Sequence, residues 1–440
     1  MLFRSIVRAR LDRKPVVVVS AMGKTTNKLL QVGSMAAEGN HATLAFLGSI
    51  KTFHVEEAAK LGIEDSLNKS PFGIEAMFKE LKDFVKALIV MRELSPRVID
   101  ALSAYGERLS SVIVSAAFQR LGIPALHEDA RCYIKTDARH TQAAPLMSET
   151  YKLLQEALIP SVNTGVVPVL GGFIASTMDN ITTTLGRGGS DYTASIVGAG
   201  IGAEEIQIWT DVDGMLTADP TIYPQGHRVK VCSFTEAAEL AYFGAKVLHP
   251  ATVLPAIEKN IPVRILNSRR PDSEGTLIVS NPPPSTSPIR SIACKRNITL
   301  VNIVSTRMLM AHGFLRRIFE VFDRYETPVD MLATSEVSVS LTIDNTNALA
   351  AITKEIEEFA EVTVEENQAI VCMVGDNIRH TPGVASRAFA GLKDINVRMI
   401  SQGASLLNIS VVVAAADLKG AVESLHREFF TNPDPAAFEK

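Results

Sequence analysis

A chain of 440 residues, 46% of them apolar, has enough material for two or three domains with substantial cores. Its formal net charge of −4 argues against nucleic acid or an anionic membrane as the main partner. No apolar run approaches the roughly 18 residues of a membrane span, and Met1–Ser5 does not lead into a signal-peptide core, so a cytoplasmic protein is expected.

Short apolar runs alternate with amphipathic helical patterns through the first 280 residues. Val16–Val19, Thr43–Leu47, Val166–Leu170, Ile206–Trp209 and Val263–Leu266 read as buried strands. Such alternation indicates an α/β domain with a largely parallel sheet. Ligands of these sheets sit beyond the C-terminal strand ends, which places the polar segments after Val19, Ile174 and Trp209 in view. The four cysteines (Cys132, Cys232, Cys294, Cys372) and nine histidines show no metal-ligand spacing. They read as small core residues and isolated imidazoles, and no protein-bound metal is expected.

The richest stretch is Thr182–Ala194, TTTLGRGGSDYTA, where hydroxyls and glycines open into a helical run. Glycines let backbone N–H groups approach an anion, and a helix N-terminus adds the positive end of its dipole. Arg187 brings a planar fork suited to a carboxylate or phosphate. The local chemistry is anion handling.

Asn281–Pro288, with four prolines, can continue neither a helix nor a central strand and reads as a linker. Beyond it a β-α-β-β pattern occurs twice. Strand 299–304, helix 313–322 and strands 329–332 and 336–343 are followed about seventy residues later by 369–374, 383–389, 397–400 and 408–413. Further helices, Leu349–Phe359 and Leu418–Phe430, close the copies. A duplicated unit of this size suits ligand sensing or dimerisation better than catalysis.

Four blocks can now be set together: SAMGKTTN (20–27), AYGERLSS (104–111), TTTLGRGGSDYTA (182–194), and the run from WTDVDG (209–214) through TADP (217–220) to FGAKVLHP (243–250). With them the chain closely resembles the aspartate kinases, most of all the lysine-inhibited type with two C-terminal ACT repeats, over about residues 5–430. The resemblance implies an amino-acid-kinase-like α/β/α sandwich with a largely parallel central sheet, followed by two ferredoxin-like ACT units. The corresponding division is a catalytic domain at 1–280, a Pro-rich linker at 281–290 and a regulatory region at 291–440.

It also implies transfer of the ATP γ-phosphoryl group to the β-carboxylate of L-aspartate, the first step toward lysine, threonine and methionine. Both substrates are anions, so positioning and neutralisation carry the catalysis. By resemblance Arg187 pairs with a substrate carboxylate, Glu107 accepts the α-ammonium, and Thr26 and Ser190 supply hydroxyls. Gly188 and Gly189 offer backbone donors, and Asp191 organises the transfer centre. Thr210, Asp211, Leu216, Thr217, Asp219, Lys246 and Val247 match the nucleotide side, with Lys246 near the phosphates and Mg²⁺ arriving bound to ATP. Leu216 and Thr221 depart from the aromatic and arginine residues of many relatives.

Met308, Ala311, Gly313, Phe314, Leu315, Val329, Asp330, Ser335 and Glu336 match a lysine effector pocket, Asp330 and Glu336 meeting its ammonium groups. A homodimer or larger assembly through the ACT units is implied as well. Family members begin with a strand and a Lys-Phe-Gly-Gly-Thr-Ser loop that this sequence does not contain, and Met1–Arg13 matches the tail of the helix after it. On that ground weakened catalysis is expected of the chain as written, the rival reading being an amino-acid sensor that keeps the fold.

Overall fold

The structure is a computed structural model and describes residues 2–63, 73–244, 250–305 and 312–439. The chain packs as two compact units, 1–211 with 251–273, and 212–250 with 274–440. These cuts fall at different points from the division at 280–290.

In the first unit, α1 (Leu2–Arg8) precedes β1 (Val17–Val19), α2 (Thr25–Ala37), α3 (Thr43–Lys60), α4 (Ile74–Met91), α5 (Pro96–Ser103), α6 (Tyr105–Arg120) and β2 (Ala125–Glu128). Then come α7 (Met147–Asn163), β3 (Val167–Gly171), β4 (Ile174–Thr177), β5 (Thr182–Thr184), α8 (Gly189–Ile201), β6 (Ile206–Thr210) and β7 (Val263–Asn267). Strand β3 lies between β1 and β2, parallel to both, and β6 pairs in parallel with β7. Alternation sends Val17, Val19, Val167 and Val169 to one face, against Phe118 of α6. Val16, Val18 and Leu170 face the other way, against Ile196 and Val197 of α8. Helix, sheet, helix is the expected three-layer order.

One sequence reading changes. Thr43–Leu47 is the first turn of α3, not a strand: Leu47, Ile50, His54 and Ala58 continue at helical spacing and are all buried. The polar segment after Ile174 forms a hairpin, with β4 antiparallel to β5 and Ile174 opposite Thr184. Threonine's branched Cβ suits a strand, and the buried hydroxyls find partners: Thr183 with Thr136 at 2.7 Å, Thr184 with Asp100 at 2.6 Å.

Asp100 of α5 is the hub behind that hairpin. It is fully buried and accepts from the Thr184 hydroxyl, from the Thr141 amide at 3.0 Å, and from His140 Nδ1 at 2.7 Å. Three segments far apart in sequence thus share one carboxylate.

The second unit contains α9 (Phe234–Tyr242), begun by a capping box between Ser233 and Glu236. The ACT pair follows as β8 (Ser291–Val304), α10 (Phe314–Arg324), β9 (Met331–Thr334), β10 (Ser338–Ile343), α11 (Leu349–Ile356), β11 (Glu361–Val374), α12 (Val384–Gly391), β12 (Val397–Gln402), β13 (Asn408–Ala414) and α13 (Leu418–Phe430). One six-stranded sheet runs β9-β10-β8-β11-β13-β12. Both long strands serve both copies. Residues 299–304 of β8 pair with β10, whereas 291–295 pair with 370–374 of β11, which also pairs with β13. Each copy takes its fourth strand from the other's first. Val301, Ile303, Val339, Leu341 and Ile343 bury against Ile318 and Phe322 of α10 and Ile352 and Ile356 of α11.

Residues 281–288 form neither helix nor strand, as four prolines require. Cys232, Cys294 and Cys372 are buried as expected, while Cys132 is exposed. Among the described residues no helix is long and apolar enough to cross a membrane, and no cluster of metal-ligating side chains gathers.

Replacing Asp100 with alanine strands the Thr184 hydroxyl, the Thr141 amide and His140. Losing an acceptor shared by buried donors costs about 2–4 kcal/mol. The D100A variant is expected to show a correspondingly lower denaturant midpoint, with the slope unchanged.

Candidate functional site

β1 and β3 end side by side, and the chain leaves both at the same edge. There Ser20, Thr26, Glu107, Phe173, Gly186, Gly188, Gly189, Ser190 and Asp191 line a cavity of about 280 Å³. Six of these were marked in the sequence; Ser20, Phe173 and Gly186 were not. Ser20 follows β1 directly, and an apolar ring at 173 reads as core until the turn is seen. Phe173 holds φ 65°, a conformation that sequence does not reveal.

The turn after β3 is pressed onto the first turn of α8. A Cβ on Gly172 would lie 2.8 Å from Ser190 Cα, and one on Gly189 would lie 2.6 Å from Phe173 Cδ2. The Phe173 amide donates to Thr193 Oγ1 at 2.9 Å, locking turn to helix. Gly188 caps α8 without a side chain, and the Ser190 and Asp191 amides carry no acceptor among the described residues. Free first-turn donors and the helix dipole make an anion seat.

Two carboxyl groups stand at this seat. Glu107, near the start of α6, is 4% exposed; its Oε1 accepts from the Ala21 amide at 3.3 Å and the Thr26 hydroxyl at 3.4 Å. Its Oε2 is buried without a partner. Burial pushes the Glu107 pKa up to about 7, against the pull of those donors. Burial likewise raises Asp191 to about 6. An unpartnered buried carboxylate oxygen calls for a cation from outside the protein.

Arg187 is exposed between Gly186 and Gly188, does not line the cavity, and bonds to no other described residue. Thr210 ends β6, and its hydroxyl donates to Asp211 at 3.3 Å. In the second unit Leu216 is half-buried and its carbonyl accepts from Ser291. Thr217 is fully buried, accepting from the His227 amide and sharing a 2.8 Å hydrogen bond with His426 Nε2. Asp219 closes a turn by accepting from the Thr221 amide and hydroxyl. Lys246 and Val247 lie outside the described residues, as do Met308 and Ala311.

At the regulatory end, Gly313 caps α10 with φ 82°. Phe314 meets Phe359 edge-on at 5.8 Å, and Leu315 is exposed. Val329 packs against the ACT core. Ser335 and Glu336 are exposed in the turn between β9 and β10, the Ser335 hydroxyl 2.6 Å from that of Ser338. Asp330 is not free: its Oδ1 holds the ammonium of Lys295 at 2.6 Å.

Residues 2–267 match the amino acid kinase family, and residues 301–359 and 371–429 each match the ACT domain. Over 441 residues the chain is 40% identical to chloroplastic aspartokinase 1 of Arabidopsis thaliana, covering 96% of this chain and 76% of that one. The chain belongs to the aspartokinases. The crystal structure of Escherichia coli aspartokinase III with aspartate and ADP superposes with a TM-score of 0.82 at 33% identity, covering 98% and 96% of the two chains. The same enzyme with lysine and aspartate gives 0.82 at 34%, with the same coverage. As an aspartokinase, the protein is an ATP-dependent kinase that phosphorylates the β-carboxylate of L-aspartate in amino-acid biosynthesis.

The contact between Gly172 and Ser190 gives a direct test. In G172A the turn and helix must separate by several tenths of an ångström, and small misplacements at a reacting centre are costly. Aspartate kinase activity is expected to fall about 10-fold or more, while circular dichroism shows an intact fold.

Proposed function

We propose that the cavity at the ends of β1 and β3 is the aspartate subsite of this kinase. The unpartnered, buried Oε2 of Glu107 carries the reading, because an α-ammonium is the partner that such an atom lacks. Thr26 keeps that carboxylate oriented, Arg187 swings in to pair with the α-carboxylate, and the Ser190 hydroxyl with the Gly188 and Gly189 amides holds the remaining oxygens. A β-carboxylate oxygen then attacks the γ-phosphorus in line as the bond to ADP breaks, giving 4-phospho-aspartate. Two anions must be brought together, so neutralisation and positioning dominate the barrier. Asp191 organises the transfer centre, and Lys246 neutralises charge on the phosphates.

ATP enters as its Mg²⁺ complex. Thr210, Asp211, Leu216, Thr217, Asp219 and Val247 serve its nucleotide portion. Catalysis belongs to residues 1–280 and regulation to 291–440, joined by 281–290. Lysine, which the E. coli enzyme binds, is the expected inhibitor, with its seat among Met308, Ala311, Gly313, Phe314, Leu315, Val329, Asp330, Ser335 and Glu336. Assembly is expected to be a homodimer or larger through the ACT units, and the location the cytoplasm.

The Glu107 assignment has a pH signature. Only the ionised carboxylate pairs with an ammonium, and its free-enzyme pKa of about 7 places the acidic limb of kcat/KM for aspartate there. Activity therefore falls as pH drops through 7, and the limb in kcat moves to lower pH because bound ammonium favours the carboxylate. E107Q is expected to lower kcat/KM and abolish this limb. A limb that persists near pH 7 in E107Q assigns the titration elsewhere.

Loss of a charge-assisted, bidentate contact costs about 2–4 kcal/mol, or roughly 30- to 1000-fold. R187A should lose that much in kcat/KM for aspartate, with a raised KM. An unchanged KM removes Arg187 from the subsite.

A further inference from the structure

Asp330 precedes β9, and its side chain is 6% exposed. Its Oδ1 accepts from Lys295 Nζ at 2.6 Å, and the same ammonium lies 2.8 Å from Asp344 Oδ2. The Tyr242 phenol is a further hydrogen-bonding neighbour of the Asp330 carboxylate, whose Oδ2 is buried. The Tyr242 ring stands 5.8 Å from the ammonium, and its phenol is raised by burial first and then by the Asp330 charge. Two carboxylates therefore face one ammonium, and one negative charge is left without a cation.

The group already seated on Asp330 is a primary ammonium on a four-carbon stem. This is the chemistry of the effector's own side chain. We propose that Lys295 is a tethered stand-in for lysine: the effector's ammonium takes Asp330, and Lys295 withdraws to Asp344. The inference rests on the lysine reading given above. The exchange gives each carboxylate an ammonium of its own, which removes the uncompensated charge. It also makes lysine affinity a difference between two similar contacts, so the residue at 295 tunes the concentration at which the effector acts.

The exchange predicts opposite signs for two substitutions in the full chain, read by calorimetric titration with L-lysine. K295M removes the competitor and should bind lysine about 10-fold more tightly. D344N removes the place to which Lys295 retreats and should bind lysine about 5-fold or more weakly. A merely structural pair gives weaker binding in both. Wild-type binding that K295M leaves equal or weakens overturns the exchange while the lysine reading stands. Binding seen in K295M alone supports the exchange, because the internal ammonium then outcompetes the free one. Binding in neither protein overturns both readings. Should K295M fail to fold, K295Q takes its place, and lysine affinity equal to or below that of wild type overturns the proposal.

Discussion

The absence of a β-carbon at Gly172 and Gly189 is the constraint on which the site depends. It lets the turn leaving β3 rest directly on the first turn of α8, so two backbone segments meet where side chains would otherwise part them. That contact fixes where the free amides of α8 point, while Gly171 lets β3 pass close to Glu107, a Cβ there falling 3.1 Å from Glu107 Cβ. A carboxylate so deep is hard to ionise until a cation joins it. The Asp100 hub acts on the same site at longer range, because the hairpin leading into Gly186–Ser190 hangs from its carboxylate.

Much of this was legible in the sequence. Short apolar runs marked the central strands, and the glycines around Arg187 marked the turn into α8. The duplicated β-α-β-β pattern gave two regulatory copies, and α13 runs Leu418–Phe430 as expected. The misreading of Thr43–Leu47 has a physical source: five residues of β-branched, aromatic and aliphatic character fit a buried strand equally well, and only the spacing through Ala58 separates the two.

Other features depend on contacts that no local pattern encodes. The left-handed backbone at Phe173 is imposed by its packing on α8. The occupation of Asp330 by Lys295 joins residues that share a sheet without being neighbours in sequence. Asp330 reads as a vacant acceptor when its motif is considered alone, because a pairing partner across a sheet is a property of register. Burial of Thr217 beneath His426 is of the same kind: the motif marks the residue, and tertiary packing decides what its hydroxyl does.

The shared long strands of the ACT sheet also bear on how the protein is made. Residues 291–295 leave the ribosome well before 370–374, the partners that complete their ladder. Until then a newborn apolar strand shows a bare hydrogen-bonding edge, and a second nascent chain offers the same edge in the same register. Synthesis speed between these points therefore governs whether a strand pairs within its own chain or with a neighbour's. Neither copy can be cut away whole, so gain or loss of this regulatory region in evolution must proceed by both copies at once.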